Sequence, residues 1–200
     1  MIRRVLWLLS VGVLISPPLD PLLDHSMAGQ MALQMPLLAA LGVLARGCWP
    51  GLRLRTDGQT AAGVVFAAGS LVFWMLPRSL DATVNVWWAD QLMHANWLAV
   101  GWLLAIGSGR LRFHVRFATG IYFAAMILTA GIVYASAVIP VCSNYSIRQQ
   151  NLAGSLLLWI GAVLFLLVVA RAILCFNRIT LADYRQNEPL PMPWPSSNGT

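Results

Sequence analysis

The sequence predicts an all-α fold, a polytopic membrane bundle of about six transmembrane helices with both termini cytoplasmic. Three observations predict it. Hydrophobic residues make up 58% of the 200-residue chain and charged residues only 10%, well short of the roughly 25% charged residues of soluble domains. The apolar residues gather in runs near the ~20 residues that a helix needs to cross a bilayer. All the basic residues are arginines, and they fall between those runs with a strong bias to alternate loops.

Taken in order, the runs give spans at about 5–17, 26–45, 60–77, 87–108, 117–140 and 151–175. The first follows two arginines and resembles a signal peptide, but PPLDPLL stands where an A-x-A-like cleavage site would be, so it reads as an uncleaved span. The second opens on DHSMAGQMALQMP, in which Pro36 is expected to kink the helix. The third ends in FWMLP, the fourth begins WWADQLMHANW, and the last two are nearly uninterrupted apolar stretches. Arg3, Arg4, Arg46, Arg53, Arg55, Arg110, Arg112, Arg116, Arg171, Arg178 and Arg185 then lie on one side, against only Arg78 and Arg148 on the other. The positive-inside rule puts the richer side in the cytoplasm. The outer loops become 18–25, 78–86 and 141–150, carrying Asp20, Asp24 and Asp81. Trp74, Trp87 and Trp88 would mark the outer interface and Trp49 the inner one. Residues 1–176 form the transmembrane domain, and the polar, Pro-rich residues 177–200 a disordered cytoplasmic tail.

On this topology several site-like side chains share one depth near the outer face. His25 opens the second span, and Met27, Met31 and Met35 follow at a spacing that stacks them on one helix face. Met75 ends the third span, and Met93 and His94 lie in the outer half of the fourth, with Asp90 one turn before His94. Imidazole and thioether donors together suit Cu(I), and two histidines are also the usual axial ligands of a b-type haem. Against this, a methionine stripe is ordinarily packing, whereas a histidine with an aspartate one turn away inside a membrane span starts as a functional residue. His114, in RLRFHVR, reads as a surface residue. Gln30, Gln34, Gln91 and Asn96 are explained by hydrogen bonds between helices.

Other classes find little support. The net charge of +6 comes from arginines beside apolar runs, which anchors topology and gives no nucleic-acid-binding stripe. Cys48, Cys142 and Cys175 are scattered, so neither a disulfide nor a three-cysteine metal site is expected. No Gly-rich phosphate loop, nucleophile elbow or HExxH is present, and the chain is not read as an enzyme.

Four stretches, in order, resemble the CtaG-like cytochrome c oxidase assembly factors of bacteria. HSMAGQMALQMPLLAALG resembles that family's His-Met-rich segment running into a proline, and FWMLPRSLDATVN its W-x-H-x-P stretch. ADQLMHANWLAVGWLL resembles its segment with a Glu-His pair, and IRQQNLAGSLLLWIGAVLFLL its D-Q-Q helix start. Met75 stands where the family tends to have His, Met93 where it tends to have Glu, and Gln149 at the acidic position.

The resemblance implies a multi-pass protein of the bacterial inner membrane that handles copper at the outer face. Its partner would be the catalytic subunit of a haem-copper oxidase, reached through the bilayer. His25 and His94 would be the main Cu(I) ligands, Met27, Met31, Met75 and Met93 their soft partners, and Asp90 the group orienting His94 from behind. The alternative is an accessory subunit of a respiratory oxidase complex that binds no metal. A haem- or quinone-binding carrier using the same two histidines is a third reading.

Overall fold

The computed structural model describes residues 2–16, 19–49, 51, 54 and 56–186, without the side chains of 21 and 178–186. Among these residues the secondary structure is helical throughout, with no strand. The elements are α1 (Ile2–Leu14), α2 (Asp20–Asp24), a π-helical segment (Gly29–Gln34), α3 (Met35–Cys48), α4 (Asp57–Trp74), α5 (Pro77–Asn85), α6 (Trp87–Gly107), α7 (Phe113–Ala135) and α8 (Ile147–Gln186). Among the described residues three segments are long and apolar enough to cross a membrane, namely Gly29–Cys48, Phe113–Ala135 and Ile147–Asn177. The bent pair α4–α5 makes a fourth if it counts as one span. This marks the chain as a helical membrane protein.

The long helices alternate in direction between two ends. At one end, Arg4 Nε donates to the carbonyl of Cys48 at 3.0 Å, and Arg46 reaches the carbonyl of Ala105 at 2.9 Å. This arginine end joins the start of α1 to the ends of α3 and α6. The opposite end is capped by α2, α5 and the loop between α7 and α8, where Tyr134 Oη donates to the carbonyl of Met75 at 2.8 Å. The parallel pair α3–α6 forms the centre, α1 flanks α3, α4 flanks α6, and the α7–α8 hairpin docks on α4 and the π segment.

The central crossing is set by glycine. A Cβ on Gly101 would sit on the carbonyl of Ala39, and one on Gly42 would meet the carbonyl of Leu98. Backbone therefore touches backbone, as small residues allow between membrane helices. α7 and α8 meet in the same way, where a Cβ on Gly131 would lie 2.8 Å from the amide of Leu158.

Several expectations change in detail. The third span does not run unbroken to 77: α4 ends at Trp74, and α5 leaves at 77°. Pro77, at the start of α5, has no N–H with which to continue the ladder, and it suits a first helical position. The expected loop 78–86 is thus largely the helix α5. The kink expected of Pro36 is instead a π segment of six residues ending just before it, where the Met35 amide bonds back to Gln30. Pro36 cannot bond the carbonyl of Ala32, which frees the preceding turn to widen. Trp74 is only 3% exposed and belongs to the core, not to an interface as expected, while Trp87 is 78% exposed. Of the tail expected from 177, the backbone is helical to Gln186, and residues 187–200 lie outside the described residues.

A candidate metal centre at the capped end

The structure brings His94 together with Asp90 and with a residue that sequence reasoning left in a loop, Asp20. One ligand atom from each of the three lies within 4.8 Å of the others. His94 Nε2 is 3.1 Å from Asp20 Oδ1, and His94 Nδ1 is 3.5 Å from Asp90 Oδ2. His94 and Asp90 share a face of α6 because they are four residues apart. Asp20 comes from α2, which the chain folds back over the mouth between α3 and α6. His94 is 1% exposed, and the Asp20 and Asp90 side chains are 14% and 8% exposed.

The π segment supplies the fourth member. Gln34 Nε2 lies 2.7 Å from Asp20 Oδ1 and 2.9 Å from His94 Nε2. With its proton on Nε2, His94 donates to Asp20; with the proton on Nδ1, its Nε2 accepts from Gln34, and one amide nitrogen donates its two hydrogens to two converging lone pairs. That is the place a cation bound by both groups would take. Gln34 Oε1, Asp90 Oδ1 and His94 Nδ1 are buried without a hydrogen-bond partner. Four residues earlier, Gln30 Nε2 donates to Thr83 Oγ1 at 2.7 Å, and its Oε1 lies 3.0 Å from Tyr145 Oη. The two glutamines thus tie the π segment to α2, α5, α6 and the α7–α8 loop.

The charge balance of this region is negative. Asp20 and Asp90 share the His94 imidazole, Asp24 stands near Asp20, and the ion pairs among the described residues give these carboxylates no arginine. Burial, with the Asp20 carboxylate beside it, pushes the Asp24 carboxyl up to about 7. Carboxylates withdrawn from water require protons or a cation to balance them.

The expected soft ligands are placed differently. Met27, Met31, Met35 and Met93 are fully buried in the apolar core, with Leu38, Leu71 and Trp97 among its members. Met93 Sδ stands 4.0 Å from Gln30 Nε2, and Met75 packs on the edge of the core with its carbonyl held by Tyr134. His25 is exposed at the end of α2 and is not part of the three-residue cluster. The atoms that converge on His94 are therefore two carboxylate oxygens and an amide nitrogen. Such a donor set fits a borderline or hard divalent ion better than Cu(I). Both ring nitrogens of His94 face groups of this chain.

Sequence reasoning missed Asp20 and gave Gln34 only a generic role. One signal was available for Gln34: Gln30 and Gln34 repeat at the same four-residue spacing as the methionines beside them. The chain matches no protein-family model, no curated protein and no solved structure.

Proposed function

We propose that this chain is a metal-handling membrane protein whose site holds a divalent transition ion on Asp20, Asp90 and His94. The observation that carries the reading is the convergence of two carboxylates and one imidazole within 4.8 Å, with no ion pair from an arginine to these carboxylates among the described residues. An imidazole with oxygen donors accepts Zn²⁺, Cu²⁺ or Mn²⁺, and the affinity order favours copper. On this reading Gln34 moves aside when the ion enters, since its amide nitrogen stands between the Asp20 and His94 lone pairs.

The fuller role rests on the resemblance stated above. In it the chain has six spans, both termini on the cytoplasmic side of a bacterial inner membrane, and the capped end outside. It would hold copper for a haem-copper oxidase subunit beside it in the bilayer. Support comes from the arginine end, which gathers Arg3, Arg4, Arg46, Arg110, Arg112 and Arg116, against Arg78 and Arg148 at the capped end. The role needs ligand exchange and no catalysis.

Metal stoichiometry tests the site. The full chain, purified in mild detergent and loaded with Cu²⁺ or Zn²⁺, is expected to retain about one ion per chain, as a single three-ligand site implies. Asp90→Asn with His94→Ala is expected to abolish it. A wild-type protein that retains no ion overturns the reading. A second reading, an accessory subunit without metal, is favoured by one observation: Gln34 already satisfies Asp20 and His94 from within the chain. It expects stoichiometric co-purification with a respiratory complex and no change in metal content on His94→Ala.

A further inference from the structure

An open cleft of about 480 Å³ lies beside the cluster, between α2, α5 and the start of α6. Asp24, His25, Thr83, Asn85, Trp87 and Asp90 are among its lining residues. Two of them carry carboxylate oxygens that are buried and unpartnered, Asp24 Oδ1 and Asp90 Oδ1. Asp90 is only 6% exposed, yet it lines the cleft and also places its second oxygen 3.5 Å from His94 Nδ1. One side chain thus belongs both to an open space and to the buried cluster. The other polar groups of the cleft divide by their commitments. Thr83 is bound to Gln30 and to the carbonyl of Leu80. Asn85 turns its amide nitrogen to the carbonyl of Asp81 at 2.7 Å, which leaves its oxygen as an acceptor. His25 is exposed, and its backbone carbonyl accepts from Gln149 Nε2 at 3.3 Å.

We propose that this cleft is a loading station for a hydrated divalent cation, captured by Asp24 and His25 and passed to the cluster by Asp90. The inference rests on the metal-site reading above and adds the route and a second set of ligands. The transfer is ligand exchange without redox change. The cation loses waters as a carboxylate oxygen of Asp24 and the imidazole of His25 replace them. It then exchanges those ligands for Asp90, His94 and Asp20. The positive charge moves from the Asp24 carboxylate to the Asp90 and Asp20 carboxylates, so no uncompensated ion enters the apolar bundle. A cleft lined by one sign of charge also raises the local concentration of the opposite ion and speeds its capture.

Stopped-flow loading of Co²⁺ into the purified full chain, followed by its visible absorption, tests this. Asp24→Asn with His25→Ala is expected to slow loading by about ten-fold or more, with the bound Co²⁺ still reaching the wild-type amount given time. Asn85→Trp, which fills the cleft and leaves every carboxylate in place, is expected to slow loading as well. Asp90→Asn is expected to lose the bound ion. Loading at the wild-type rate in both Asp24→Asn/His25→Ala and Asn85→Trp overturns the loading station and leaves the cluster reading standing. Loss of bound Co²⁺ at equilibrium in Asp24→Asn/His25→Ala also overturns it, because those residues would then belong to the resting site. A wild-type chain that takes up no Co²⁺ overturns the cluster reading and this one together.

Discussion

The two tightest helix crossings, α3 with α6 and α7 with α8, are built alike and do different things. Each brings glycine against facing backbone, Gly42 and Gly101 in the first, Gly131 and Gly154 in the second. Along the first crossing the π segment and α6 also bury Gln30, Gln34, Asp90 and His94. Along the second the buried partners are mainly small or apolar, Ala124, Gly131, Ala153, Gly154, Leu157 and Gly161, with Tyr134 and Gln150 near the capped end. The outer face of that hairpin, Trp159, Leu166, Leu167 and Leu174, is exposed apolar surface suited to lipid. Close glycine contact is therefore how this chain packs helices in general. The second crossing also buries a polar side chain, Gln150, but commits it to the carbonyls of Cys142 and Tyr145. A buried imidazole with a carboxylate and two glutamines beside it is what sets the candidate site apart.

The largest expected effect comes from breaking the central crossing. Gly101→Val drives a side chain into the carbonyl of Ala39, where only backbone can yield. The cost is expected to exceed the usual overpacking range, about 3 kcal/mol or more. Size-exclusion profiles in detergent should show loss of the folded species and of bound metal. Gly154→Val also meets backbone, at Ala135. It should lower the thermal midpoint while the protein that remains folded keeps its ion, because the cluster lies on the other crossing.

Next in size is the removal of the amide that stands in the cation's place. Gln34→Ala takes donors from Asp20 and His94, and the metal-free protein should lose about 1–3 kcal/mol from the unsatisfied groups. The same change should tighten divalent-ion binding by about ten-fold, the equivalent of 1.4 kcal/mol. Calorimetric titration of Zn²⁺ into both proteins measures it. Weaker binding in the variant would make Gln34 a supporting ligand and not a placeholder.

Acid and base separate two aspartates of the capped end. Asp81 accepts from the Ser143 amide at 3.0 Å, the Ser143 hydroxyl at 2.6 Å and the Asn144 amide at 3.2 Å, clasping α5 to the α7–α8 loop. Partial burial works against its charge, but these hydrogen bonds prevail and hold its carboxyl below the ordinary value. Its contribution to stability is present above about pH 4 and is lost as pH falls through its lowered pKa. Asp24 has the opposite sign. With its pKa raised to about 7, its contribution is full below the ordinary carboxylate value and is lost as pH rises through about 7. Thermal midpoints of metal-free protein should show that Asp24→Asn flattens the decline between about pH 4 and 7. Asp81→Asn should remove part of the loss in acid.

The smallest effect is expected on the lipid-facing side of the second crossing. Trp159→Ala alters a side chain that is 73% exposed, and a change at such a surface site should stay within about 0.5 kcal/mol. Its metal content should match the wild type.

The pairing of Asp90 with His94 was legible because a helix brings residues four apart to one face whatever surrounds it. The methionine stripe was legible as a stripe for the same reason, but periodicity does not say what a face meets. In the structure it meets Leu38, Leu71 and Trp97 in the core, where Met serves as an adaptable apolar filler. Asp20 was not legible as a site residue. It stands 74 positions before His94, and no local rule links a short helix after Pro17 and Pro18 to the middle of another segment. His25 shows the converse: near the site in sequence, it ends exposed at a cleft because α2 turns it outward.

By itself the sequence determined the helical class, the apolar lengths and the arginine asymmetry, because hydrogen bonding within lipid and the cost of charge there act on each segment alone. It also pointed to Pro36 as a place where regular helix is interrupted, since a missing N–H is a local fact, whereas the break before Pro77 came from the structure. Tertiary structure alone decided which polar groups converge. The glycine contacts at Gly42 and Gly101 bring α3 and α6 close enough for Gln34 to reach His94. The fold of α2 then sets Asp20 over both. Those distances depend on how whole helices dock, which is a sum over many contacts that no single stretch of sequence contains.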